Sequence, residues 1–261
     1  MNAGPPPPVA VAAPFVEGSG REVVMPPEPS QLLDSLGLET PPIGLYVAPD
    51  TAPFEPCVRP QATGHTCVFA FYKEWLRGRT LHLTWEVHGC DGAAPCLFGR
   101  HVRPTEDLVT FLVEEEGLKR SREAMTRWVE RRRAQVPEHP NVLIGPLRPE
   151  QAAHLRSVTF FVDPDRLGAL VVGANYDAEV DDPVVVTAPF GSGCSHLLGP
   201  AGEAPAAIIG ATDSAMRRYL PPDVLAFTVN RAMFARLCAL DRKSFLHKSF
   251  WTGLQAARGR A

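Results

Sequence analysis

Thr159-Phe160-Phe161-Val162-Asp163 and Ala226-Phe227-Thr228-Val229-Asn230 are two versions of one pattern. Each is a short run of aromatic and β-branched residues, the composition of a strand. Each ends on a residue whose side chain can cap a helix. Leu167 and Leu170 follow the first, Phe234 and Leu237 the second, at the spacing of a buried helical face. Asn141–Gly145, followed by Pro149 and Leu155, is a looser third copy. Short apolar runs bounded by Pro, Gly or Asp recur at Ile43–Val47, Val184–Thr187 and Ala207–Ile209. Strands and helices alternate at close spacing. The reading is therefore a single α+β (mixed α/β) domain with a mixed sheet flanked by helices.

Upstream, Thr80-Leu81-His82-Leu83-Thr84-Trp85-Glu86-Val87 alternates apolar and polar residues, which predicts a half-buried strand. Cys67–Leu76 reads as a helix closed by Gly78, with Phe71 and Trp75 on one face. Glu106–Val113 and Ser121 to Arg133 have helical patterns, the second with Met125, Trp128 and Val129 on its core side. Ser30 is expected to cap a helix over Gln31–Leu36, stopped by Gly37. Residues 1–29 hold the Pro5–Pro8 run and Pro14, Pro26, Pro27 and Pro29, and read as a flexible tail. Residues 30–261 read as the single domain.

The 261 residues are 45% hydrophobic, enough to bury a core, and the net charge of −3 gives no argument for nucleic acid or an anionic membrane. Arg131-Arg132-Arg133 reads as a solvated helix end. No apolar run approaches the ~20 residues that span a bilayer, and no secretory signal opens the chain. A reducing cytoplasm is expected. There, six cysteines serve as thiols, metal ligands or nucleophiles rather than disulfides.

Three of them stand in glycine-rich settings: Gly64-His65-Thr66-Cys67, His88-Gly89-Cys90-Asp91-Gly92 and Gly191-Ser192-Gly193-Cys194. Glycine lets the backbone approach a neighbour closely. A glycine turn after a strand, as before Cys194, can turn several N–H groups inward and lower a thiol's pKa. Cys67 and Cys90 are separated by one helix and one strand, which can fold back on each other. Three thiolates together select an iron–sulfur cluster, zinc or copper(I), and leave one coordination position open. There is no Cys-x-x-Cys pair. Cys96 reads as a partly buried spectator, with a fourth ligand as the alternative, Cys238 reads as core, and Cys57 is unassigned. His65, His88 and His196 each lie within two residues of one of these thiols. Asp213 and Arg217 are expected as helical i,i+4 partners, with the Arg fork suited to an anionic substrate. No dinucleotide, phosphate-loop or nucleophile-elbow motif is present.

Several stretches resemble the uncharacterised family called domain of unknown function 169, the ArCR group. They are Pro42-Ile43-Gly44-Leu45, the Cys67 helix, Gly89-Cys90-Asp91-Gly92, Val162-Asp163-Pro164-Asp165-Arg166-Leu167 and Pro189-Phe190-Gly191-Ser192-Gly193-Cys194. Gly210-Ala211-Thr212-Asp213 with Arg217-Arg218, and Ser244-Phe245-Leu246 with Phe250-Trp251, continue the match in order. The resemblance runs from Leu32 to Trp251. It implies that Cys67, Cys90 and Cys194 belong together, and it supplies no reaction.

The expected function is an iron–sulfur protein. Cys67, Cys90 and Cys194 hold a 4Fe–4S cluster, one iron is open to a small molecule or redox partner, and Cys194, His196, Asp213 and Arg217 attend the chemistry. Two alternatives stand beside it: a metal-free thiol enzyme with Cys194 as nucleophile, and a non-enzymatic module for a soft metal or metallocofactor. Association of identical chains is left open.

Overall fold

A computed structural model describes residues 29–38, 40–61, 67–87, 94–99, 104–133, 139–179, 184–187, 194–200 and 202–260. Its strands are β1 (Ile43–Ala48), β2 (Cys57–Val58), β3 (Thr80–Leu83), β4 (Asn141–Pro146), β5 (Leu155–Val162), β6 (Val185–Thr187), β7 (Ala207–Gly210) and β8 (Leu225–Asn230). They form one eight-stranded sheet in the order β2-β3-β4-β1-β5-β8-β7-β6. β2–β3 and β6–β7 pair in parallel and the other neighbours antiparallel, so the sheet is mixed. The helices are α1 (Pro29–Leu36), α2 (Tyr72–Leu76), α3 (Ala94–Phe98), α4 (Thr105–Thr110), α5 (Arg122–Arg133), α6 (Pro164–Ala174), α7 (Arg231–Cys238) and α8 (Ser249–Ala257). The fold is α+β. Among the described residues no helix is long and apolar enough to cross a membrane.

The repeated pattern folds as two matching units. β5 and β8 lie side by side, with Phe160 opposite Phe227. Asp163 ends β5 at φ −73°, ψ 171° and accepts the Asp165 and Arg166 N–H groups. Asn230 ends β8 at φ −74°, ψ 172° and accepts the Met233 N–H at 3.0 Å. In both units the cap satisfies orphan donors at the start of the following helix. The third copy diverges: β4 leads into a 3-10 stretch, Pro149–His154.

Alternation along the strands sorts side chains to two unlike faces. One face carries Tyr46, Leu143, Val158, Phe160, Val162, Phe227 and Val229 beneath α1, α6, α7 and α8. The other carries Ile43, Leu45, Leu81, Leu83, Val142, Ile144, Phe161 and Ala226 beneath short turns and α2 and α3. The helical side is tied by charge. The Arg166 guanidinium reaches Asp163 at 2.6 Å, donates to the Leu36 carbonyl at 3.0 Å and also donates to the Gly37 carbonyl. Arg260 adds a contact to Asp163 at 3.1 Å, Arg258 reaches Asp165 at 2.8 Å, and the Trp251 indole donates to the Ser35 carbonyl at 2.8 Å. α1, α6 and α8 are thereby joined.

Four boundaries differ from the sequence reading. Ser30 is not the cap, because α1 already begins at Pro29, a residue suited to a helix's first position. Cys67–Leu76 is a 3-10 turn, Val68–Phe71, running into α2. The strand expected to reach Val87 stops at Leu83, and all four of its residues are buried, because both neighbours and both faces of β3 are covered. Thr84 and Val87 then close a turn on each other. The helix expected over Glu106–Val113 widens after Thr110 into a π-helical turn, Phe111–Glu115, where the Glu116 N–H reaches the Phe111 carbonyl at 3.0 Å. The expected Pro-rich tail falls almost wholly outside the described residues.

Candidate functional site

Cys194 opens a 3-10 turn, Cys194–Leu198, that rests on the turn-covered face over β5 and β8. Its seat is made of missing and small side chains. The Leu197 carbonyl accepts from the Ser157 hydroxyl of β5. Gly199 closes the turn at φ +72°, and a Cβ there would stand 2.9 Å from Ser157 Cβ. His196 lies against Gly210 of β7, where a Cβ would approach its own at 3.2 Å. Ser195 and His196 are both buried. Gly199→Ala combines left-handed strain with this clash and is expected to cost about 2–3 kcal/mol. Gly202→Ala has positive φ but open space around it, and is expected to cost about 1 kcal/mol. Urea unfolding midpoints of the two variants check the contrast.

Cys67 precedes the other turn. It has extended backbone, φ −61° and ψ 135°, and its carbonyl accepts the Ala70 N–H at 2.9 Å. The turn and α2 bring aromatic rings onto Phe161 of β5. Tyr72 meets that ring at 5.1 Å, Phe69 edge-on at 6.1 Å, and Trp75 stacks at 5.9 Å and 16°. Ser157, Thr159 and Phe161 share one face of β5, because side chains two apart point the same way. Ser157 seats the Cys194 turn and Phe161 seats the Cys67 turn, four residues or about 13 Å apart along the strand. Between them the Thr159 and Thr228 hydroxyls bond each other at 2.8 Å, buried on the same face.

The structure thus brings Cys67 and Cys194 to one layer, both packed against the same apolar cluster. Cys96 of α3 belongs to that layer too, at 2% exposure, and α3 packs on the Cys194 turn. Cys90 lies outside the described residues, as do His65, His88 and Gly191-Ser192-Gly193. Cys57 and Cys238 pack against the opposite face. The Cys57 thiol donates to the Phe54 carbonyl at 3.0 Å, and burial, helped by Glu55, pushes its pKa up to about 11. Burial pushes Cys238 up to about 12. Both are protonated thiols at neutral pH.

Asp213 and Arg217 sit on the segment that leaves β7 through Ala211, a buried residue at φ +60°. The Asp213 carboxylate accepts the Ala215 N–H at 2.8 Å, and burial raises its pKa above the usual carboxylate range. Glu116 is also raised, first by burial and then by the negative charge of Asp213. Arg217 does not pair with Asp213. Its guanidinium donates to the carbonyls of Ala211, Pro221, Pro222 and Val224. The segment is a 3-10 turn, Arg217–Tyr219, rather than the helix that i,i+4 pairing requires, and the Arg fork is spent on bracing a loop. Arg217→Ala strips a shared donor from four carbonyls and is expected to cost about 2–3 kcal/mol, read in thermal unfolding.

Cys194 and His196 are two apart in a turn of about three residues per repeat, so their side chains leave it about 120° apart. Among the described residues no three or more His, Cys, Asp or Glu side chains stand close enough to share a metal ion. The thiols of the layer, Cys67, Cys96 and Cys194, are soft donors of the kind that suit a soft metal, and no hard-ligand cluster stands beside them among the described residues.

The seat of the Cys194 turn was not among the residues singled out in the sequence. Its signal was the hydroxyls of Ser157, Thr159 and Thr228, placed where buried strands ordinarily carry apolar side chains.

A family model described as uncharacterised ArCR, domain of unknown function 169, matches residues 31–239. No curated protein and no solved structure matches the chain.

Proposed function

The chain belongs to the uncharacterised ArCR family, domain of unknown function 169, and from that premise we propose that Cys67, Cys90 and Cys194 hold one thiolate-bound centre, a 4Fe–4S cluster with one iron open to a small molecule. The observation that supports this is that the Cys67 and Cys194 turns both pack on one face of β5, over Phe161 and Ser157. Such a centre supplies a Lewis acid or an electron carrier.

The chain's own residues do the rest. The Gly199 and Gly210 gaps and the Ser157 hydroxyl hold the Cys194 turn against the sheet, so its thiol is presented from a rigid base. The aromatic group around Phe161 keeps water from the Cys67 side. Asp213, whose carboxyl pKa burial shifts upward, is the candidate acid–base group of this reading. Arg217 serves by bracing its own loop and not by binding substrate. A reducing, cytoplasmic setting keeps the thiols available, and the partner is a small molecule or a small redox protein.

The test is purification without oxygen, reconstitution with ferrous iron and sulfide, and assay of iron, acid-labile sulfide and the visible spectrum. A brown protein with stoichiometric iron and sulfide is expected. Colourless, iron-free protein overturns the reading, and bound zinc or copper without sulfide replaces the cluster with a soft-metal module.

A further inference from the structure

Arg156 and Arg231 meet where β5 begins and β8 ends. The antiparallel pairing of the two strands closes on Ser157 opposite Asn230. One step further out, Arg156 and Arg231 stand across from each other. A bulge puts Arg156 there: β1 pairs Leu45 with Ser157 and Tyr46 with Leu155, which leaves Arg156 as the extra residue of β5. Arg231 is the first residue of α7. Two guanidinium groups and the positive end of a helix dipole thus fall together. Like charges across strands oppose folding, and cations belong at the other end of a helix.

The described chain does not offset this charge at Arg231. No acidic side chain stands in the first turn of α7, and the Asn230 side-chain oxygen is taken by the Met233 and Ala206 N–H groups. Among the described residues no carboxylate or carbonyl bonds the Arg231 guanidinium. Burial, and then the charge of Arg156, lower its pKa, so the group is both partly enclosed and repelled. Other arginines that the fold encloses are answered within it. Arg166 meets Asp163 and two carbonyls, and Arg217 meets four carbonyls.

We propose that Arg156 and Arg231 bind the phosphate group of a small molecule, at a site that does not depend on the thiolate centre. Two guanidinium forks suit an oxyanion bonded from two sides. A phosphate monoester carries about −1.5 to −2 charges at neutral pH and balances both arginines, whereas a single carboxylate leaves one of them repelled. The start of α7 adds to the preference for phosphate.

The full-length chain is titrated with inorganic phosphate, against chloride and acetate at equal ionic strength. Phosphate is expected to bind saturably by calorimetry and to raise the unfolding temperature, and acetate to do neither. Arg231→Gln and Arg156→Gln are each expected to weaken phosphate binding at least about tenfold. In chloride, Arg231→Gln is expected to unfold no earlier than wild type, because it removes a repelled charge. Arg231→Lys keeps the charge without the fork, and is expected to fold as wild type does and bind phosphate with intermediate affinity. Arg242→Gln, at an exposed position elsewhere, is expected to leave the affinity unchanged. A wild type that responds to phosphate no more than to chloride overturns the proposal, as does a response that survives both glutamine substitutions. An Arg231→Gln chain markedly less stable in chloride also overturns it, since the arginine is then held by the chain itself. None of these readouts involves the cysteines, so the result stands apart from the fate of the thiolate centre.

Discussion

Asp163→Ala is expected to destabilise the protein by about 3–5 kcal/mol, read as a lower urea midpoint at unchanged slope. The Arg166 side chain is 9% exposed and that of Asp163 12%. Removing the carboxylate leaves a buried guanidinium with only the Leu36 and Gly37 carbonyls. It also removes the cap of α6 and the contact that draws in Arg260. One side chain thus holds α1, α6 and the end of α8. Burial pushes the Asp163 carboxyl up. The Arg166 N–H and guanidinium and the charge of Arg260 outweigh it and hold the carboxyl below the usual range. A folded value below the unfolded one means that the carboxylate's contribution is complete above the unfolded value. It is lost as pH falls through the folded one. The wild type and Asp163→Ala should therefore differ fully at neutral pH and converge in strong acid. A difference under about 1 kcal/mol at neutral pH, the worth of an exposed pair, would show that the three helices do not depend on it.

The second large effect concerns the ligands. Cys67→Ala and Cys194→Ala are each expected to weaken metal binding by at least about tenfold, because a centre held by three thiolates cannot spare one. Cys90→Ala is expected to behave alike. Cys57→Ala and Cys238→Ala should leave metal content unchanged, since both thiols belong to the opposite face and are protonated at neutral pH. Cys96→Ala separates packing from ligation. It is expected to cost about 1 kcal/mol of stability through lost burial while retaining the metal. Metal content after anaerobic desalting, together with urea unfolding, reads the whole series.

The repeated strand-and-cap pattern was legible because it is local. Apolar runs, Asp163 and Asn230 specify strand, cap and helix within a dozen residues, and both units fold accordingly. Cys67 reads in the sequence as opening a helix, and a 3-10 turn running into α2 stands there instead, while the glycines that precede Cys67 and Cys194 lie outside the described residues. What lay beyond the sequence is what depends on partners distant in the chain. Strand β3 lost its outer half and its alternation because both its faces are covered, which no local pattern encodes. Arg217 looked like a charge at i,i+4 spacing from Asp213, but four carbonyls of its own loop compete for the fork and win. Ser157 carries no motif, and Gly210 belongs to a family-like stretch that says nothing of its contact; both matter because Leu197 and His196 come to rest on them.

X-ray absorption at the iron edge of the anaerobically reconstituted full-length protein is the most direct test of the thiolate centre. A first shell dominated by sulfur with iron–iron scattering behind it, lost together in Cys67→Ala and in Cys194→Ala, is the expected result. An oxygen- and nitrogen-only shell, or a sulfur shell that survives both substitutions, would contradict a centre shared by the two turns.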